Sequence, residues 1–148
     1  GEKYPEVELE IVPGVTAALG GAAVLGAPLI HDFCLISLSD LLTPWEKIEA
    51  RLLGASQADF VICLYNPSSK KRHDYLQKAC DLMMQYKSPE TVCGTVCNIG
   101  REGEEYQVMT LKELRDTQVD MFTTVFIGNS KTKEINGKMV TPRGYRNV

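Results

Sequence analysis

Short runs of β-branched and apolar residues alternate with segments of helical periodicity through most of this chain, and that alternation constrains its fold more than any other feature. The run at 59–65 (DFVICLY) is almost wholly apolar, the pattern of a strand buried on both faces. Comparable runs at 7–12 (VELEIV), 33–38 (FCLISL), 91–98, 105–110 (EYQVMT) and 122–127 (FTTVFI) read as further strands. Between them lie helical patterns at 16–26, at 70–86 and over LKELRDT, plus one starting near Thr43 and ending at Gly54. There Thr43 is expected as N-cap, Pro44 at the first position and Glu46 as the capping-box acid. The Arg101–Glu104 turn between two strands implies an antiparallel hairpin, and Asn136-Gly137 marks another tight turn. The expected fold is α/β: a mixed, mostly parallel sheet of five to six strands flanked by helices.

The chain has 148 residues, one domain's worth, and 44% of them are hydrophobic. A globule of this size buries roughly 68–70% of its unfolded surface, so it needs no staples. A formal net charge of −3 gives no footprint for nucleic acid. No apolar run approaches the ~20 residues that span a bilayer. The polar start GEKYPEVELE is not a signal peptide, and its lack of a Met suggests a piece of a longer chain. Five cysteines, an odd number in apolar surroundings, read as reduced thiols in a cytoplasmic protein. Cys93 and Cys97 of CGTVC lie about 13 Å apart if they sit on a strand, too far for one metal ion or one disulfide. No metal site is expected.

Standard catalytic signatures are missing: no GxGxxG after a strand, no GxxxxGK[ST] and no HExxH. GNSKT after the last strand is only superficially like a phosphate loop. Of the two histidines, His31 reads as a solvated or capping residue. Three loops stand out instead, because ligands of open α/β sheets collect beyond the carboxyl ends of strands. These are Val12–Ala17, Tyr65–Ser68 and Asn98–Arg101. If the first, third and fourth strands run parallel, the three loops share one edge. Gly20 and Gly21 inside a helix cost up to ~1 kcal/mol each, which implies close approach by another element or a ligand. Lys70, Lys71 and Arg72 sit where cations oppose a helix dipole, so they read either as a solvated face or as a patch for a polyanionic small molecule.

The segments IVPGVTAALGGAAVLGAPLIHDFCLISLSDLLTPWEKIEARL, DFVICLYNPSSKKR and FIGNSKT resemble the C-terminal half of the tetrapyrrole (corrin/porphyrin) methylases. The combination of SDLLTPW with YNPSSKKR is most similar to the branch that methylates carbon 17, with ring contraction, of precorrin-3B or cobalt-factor III type substrates in cobalamin biosynthesis. The resemblance implies a two-domain enzyme using S-adenosylmethionine, usually a homodimer, of which residues 1–148 are the C-terminal domain and the N-terminal domain is absent. Carried over residue by residue, it implies that Thr16 and Ala17 contact the cofactor, and that Leu64, Tyr65, Asn66 and Gly100 approach the adenosine by main-chain groups. Lys70, Lys71 and Arg72 would face the tetrapyrrole carboxylates. It names no catalytic acid or base. Methylation at another ring position or of a diphthine-type substrate, and a noncatalytic dimerisation or metabolite-binding module, remain alternatives at this point.

Overall fold

The computed structural model describes residues 3–4, 6–68 and 73–144. Its centre is a five-stranded mixed sheet in the order β2-β3-β6-β4-β5. These strands are Phe33–Ser37 (β2), Val61–Tyr65 (β3), Val92–Cys97 (β4), Glu105–Thr110 (β5) and Thr123–Ile127 (β6). The middle positions go to the strands that stay apolar on both faces: every residue of β6 is buried, as are the first four of β3. β2 and β5 alternate or turn polar, and they take the edges. β2 pairs parallel with β3, whereas β6 runs antiparallel to both β3 and β4, and β4–β5 forms the expected hairpin. So β2, β3 and β4 share a direction: the runs at 59–65 and 91–98 are parallel as anticipated, but the third member of that expectation, 7–12, is not a strand. Within this sheet only the β2–β3 ladder is parallel, however, because β6 is inserted between β3 and β4.

Helix α1 (Ala17–Leu25) covers one face, packing Ala18, Ala22 and Leu25 on Cys63, Val96 and Phe126. A Cβ on Gly21 would come within 2.9 Å of the Phe126 ring, and one on Gly94 within 2.7 Å of Leu25. The small residues therefore let helix and sheet approach closely. The other face carries α2 (Trp45–Gln57), α3 (Tyr75–Met83) and α4 (Leu111–Arg115) over Ile62, Leu64, Val125 and Ile127. A small second sheet, β1-β8-β7, joins Gly26–Ala27 to the hairpin of Lys133–Ile135 and Lys138–Val140, which turns at Asn136-Gly137 as expected.

Three local expectations are corrected. Residues 7–12 form no strand: nothing among the described residues supplies a ladder, and a strand exists only through its partner's hydrogen bonds. The alternating Val7, Leu9 and Ile11 stand exposed instead. Helix α2 starts at Trp45 behind Pro44 with no side-chain cap, so the Thr43–Glu46 box does not form, and Gly54 lies inside the helix. A capping box does form at α4, where Thr110 and Glu113 satisfy each other's backbone N–H groups. Helix α3 runs only from Tyr75 to Met83, shorter than the 70–86 of the periodicity.

Candidate functional site

The carboxyl ends of β3 and β4 both turn through asparagine. Asn66 and Asn98 each have φ near 52°, a left-handed conformation that asparagine tolerates better than most residues. These turns, the start of α1 and the start of β6 surround an open cleft of about 240 Å³. Ala17, Ile99, Met121 and Phe122 give it an apolar lining, and Tyr65, Asn66, Asn98, Arg101, Thr123 and Thr124 add polar atoms. Met121 and Phe122 are more than half exposed. A wall that is part apolar and part polar, with convergent hydroxyls and amides, suits a flat heterocycle carrying polar substituents, such as a nucleoside. Among the described residues, no histidine, cysteine, lysine or carboxylate lines it.

The three loops singled out by sequence thus meet at one edge. Thr16 and Tyr65 share a hydrogen bond of 2.5 Å between their hydroxyls, and the backbone N–H of Ala18 donates to the Tyr65 hydroxyl at 2.6 Å. The Asn66 amide donates to Ser37 Oγ at 3.0 Å. Main-chain contact is partly foreclosed: the Tyr65 carbonyl already accepts from Leu38, and the Gly100 N–H donates to Glu104 Oε2 at 2.7 Å. Gly100 does not line the cleft, although its neighbours Ile99 and Arg101 do. The Leu64 side chain is buried on the opposite face against α2 and α3, so only its backbone lies near this edge. Lys70, Lys71 and Arg72 lie outside the described residues. Sequence reasoning missed Met121, and it took Phe122, Thr123 and Thr124 for strand residues with no part in the site. An exposed apolar pair just before a buried strand was the available signal.

At the opposite end of the sheet, GNSKT proves to be a seal and not a phosphate loop. Ser130 donates to Asp59 from both its backbone N–H (2.9 Å) and its hydroxyl (2.6 Å). Asn129 and Thr132 close the turn on themselves, and Thr132 shares a 2.8 Å bond with Thr141. Lys87, with a side chain only 2% exposed, donates to the carbonyls of Phe60 and Gly128, both at 2.9 Å, and lies 3.8 Å from Asp59. Burial pulls its pKa down, with Asp59 opposing. His31 is exposed and meets the Arg143 carbonyl, in keeping with a surface role. All five cysteines are free, and no cluster of metal-ligating residues occurs among the described residues. No helix there is long and apolar enough to cross a membrane.

Comparison with known proteins agrees with this architecture. The profile of the Tetrapyrrole (Corrin/Porphyrin) Methylases matches residues 1–115. A protein of Salmonella typhimurium named "Probable cobalt-factor III C(17)-methyltransferase" is 50% identical over 140 residues, covering 95% of this chain and 58% of that one. The precorrin-3B C(17)-methyltransferase of Sinorhizobium sp is 46% identical over 150 residues, covering 97% and 58%. The crystal structure of the methyltransferase CobJ superposes with a TM-score of 0.83 at 34% identity, over 95% of this chain and 59% of that one. The chain therefore spans a little under three fifths of the length of these relatives.

Proposed function

Since this chain belongs to the tetrapyrrole (corrin/porphyrin) methylase family, we propose that it forms the C-terminal domain of an S-adenosylmethionine-dependent C-methyltransferase acting at carbon 17 of a cobalt-factor III or precorrin-3B type tetrapyrrole. The observation that carries the reading is the convergence of PGVTA, LYNP and NIGR on one nucleoside-sized cleft. When bound, the cofactor supplies a sulfonium methyl group: a carbon–carbon bond forms as the carbon–sulfur bond breaks, and sulfur keeps the electron pair. This chain's residues hold and orient. Ala17, Ile99, Met121 and Phe122 exclude water from the nucleoside face, and Asn66, Asn98 and Thr124 offer partners to its polar edge. None of them exchanges a proton with the substrate, which fits a transfer whose rate comes from alignment, worth roughly 7–11 kcal/mol in well-oriented systems.

The cleft is open on one side, and the relatives carry additional length that would wall it. Residues 7–12 support this. Val7, Leu9 and Ile11 alternate with Glu6, Glu8 and Glu10 as in a half-buried strand, yet Leu9 and Ile11 are 85% and 96% exposed. Such a segment belongs against another domain, placed here as the N-terminal half. Homodimerisation, a tetrapyrrole carboxylate patch at Lys70, Lys71 and Arg72, and a cytoplasmic location suited to five free thiols complete the proposal. The test is titration with S-adenosylmethionine followed by a methyl-transfer assay. The 148-residue chain should bind weakly, near 1 mM, and transfer no methyl group, whereas the two-domain protein should do both. A chain that turns over as fast as the longer protein would overturn the two-domain reading.

A further inference from the structure

Helix α1 starts badly by its own means. It has two glycines in its interior, no acid in its first turn, and an N-cap threonine whose hydroxyl makes no capping bond. The first-turn N–H of Ala18 is instead satisfied from another element, by the phenol of Tyr65 at 2.6 Å. The Thr16 hydroxyl, which would ordinarily cap the helix, is turned onto the same phenol. Tyr65 is the last residue of β3, held in register with Ser37, and its carbonyl is committed to Leu38. Its backbone is thus fixed to the central sheet, while its hydroxyl reaches across to the PGVTA loop.

We propose that Tyr65 is a positioning residue: its phenol acts as a remote N-cap that fixes Thr16, Ala17 and the first turn of α1 in the conformation that receives the nucleoside end of the cofactor. This rests on the reading of the cleft as the cofactor site. A cap borrowed from the rigid sheet frees the Thr16 side chain from capping and sets the spacing between the α1 wall and the Asn66 wall. Loss of the hydroxyl leaves the ring, and its packing against the α1-side core, in place.

The test is Tyr65→Phe in the full-length enzyme, read by calorimetry with S-adenosylhomocysteine, by hydrogen exchange at the Ala18 amide, and by steady-state kinetics. Removing two neutral hydrogen bonds should weaken S-adenosylhomocysteine binding about tenfold and raise KM for S-adenosylmethionine similarly, with kcat at saturation within about twofold. The Ala18 amide should exchange at least about tenfold faster. Thr16→Val, which leaves the tyrosine in place, should give a smaller loss, and the double variant should fall short of the sum of the two. Unchanged affinity in Tyr65→Phe beside a binding wild type overturns this role and leaves the cofactor site intact. A lowered melting temperature with unchanged KM does the same, since it marks a structural role only. A wild type that takes up no S-adenosylhomocysteine overturns the cofactor site itself, and this role with it.

Discussion

The two ends of the central sheet are built from the same strands and behave in opposite ways. At the end where β3 and β4 start and β6 finishes, every loop group described above bonds inward. Lys87 ties Phe60 to Gly128, Ser130 takes both oxygens of Asp59, and Thr132 meets Thr141. A Cβ on Gly128 would strike Thr132 at 2.5 Å, so the turn itself is tightly packed, and the depression of about 290 Å³ beside it is lined by Asp59, Lys87, Asn129, Ser130 and Thr132, which already bond to one another or to the backbone. At the other end, Asn66 and Asn98 bend the chain away and Met121 and Phe122 stay exposed. One end seals and the other receives. The difference lies in the loops, because a polar loop whose atoms satisfy each other leaves nothing for a guest.

If the core between the two ends is as dry as its packing indicates, alkali is its largest weakness. Burial pushes the thiols of Cys63 and Cys80 up to about 12, and that of Cys93 higher still, from an ordinary 9.0. A folded pKa above the unfolded one means that the stabilisation is complete below pH 9 and is lost as the pH climbs toward 12. All three thiols push in the same direction, so together they should remove a few kcal/mol by about pH 10. Lys87 acts in the opposite sense: its pKa is lowered, so stability from this one group rises with pH toward 10.5. Urea titrations from pH 8 to 10.5 should show a net fall, and a flat profile would mean that water reaches the core.

Lys87→Met goes to the seal directly. It strands two carbonyls and removes a buried cation, so unfolding free energy should drop by about 3 kcal/mol. S-adenosylhomocysteine affinity should stay within about twofold, because Lys87 lines no part of the cleft. The alkaline loss should also steepen once the opposing lysine is gone. Weakened binding with unchanged stability would break the division between the two ends.

Phe122→Ala makes the complementary case. The ring is 52% exposed, so stability should change by less than about 1 kcal/mol. Loss of an aromatic wall from the receiving end should weaken S-adenosylhomocysteine binding about fivefold in calorimetry. Equal affinity would remove Phe122 from the site.

The receiving end was more legible than the sealed one. Strand-end logic found Tyr65, Asn66 and Asn98 because asparagine turns follow apolar runs that do form strands, whereas it reached Thr16 and Ala17 from a strand at 7–12 that does not form, and they stand at the edge as the start of α1. It could not find Lys87, whose neighbours in sequence look like an ordinary surface turn (QYKSPE) and whose partners lie 27 and 41 positions away. Nor could it place β6 between β3 and β4, since pairing order depends on which long-range contacts bury most surface. The 7–12 segment shows the converse. Its alternation has the period of a strand, yet no ladder partner occurs among the described residues and no strand forms. The helix boundaries failed where local rules met no partner: Thr43 had a capping sequence and no bond, while Thr110, at the end of β5, had both.

The smallest expected effect lies at the sealed end, at its one flaw among the described residues. Ser56, in the last turns of α2 just before Asp59, is 3% exposed and its hydroxyl has no partner. Serine is also a poorer helix former than alanine, by a few tenths of a kcal/mol, because it competes for backbone bonds. The buried hydroxyl carries a desolvation cost that no hydrogen bond offsets, commonly 1–3 kcal/mol in other proteins. Removing the oxygen leaves a void smaller than a methyl group, which returns part of that gain as lost contact. The net expectation for Ser56→Ala is a stabilisation of about 1 kcal/mol, seen as a higher urea midpoint with an unchanged slope. Cofactor affinity should not move. A destabilised variant would mean that the hydroxyl is satisfied in solution, and that the seal is complete.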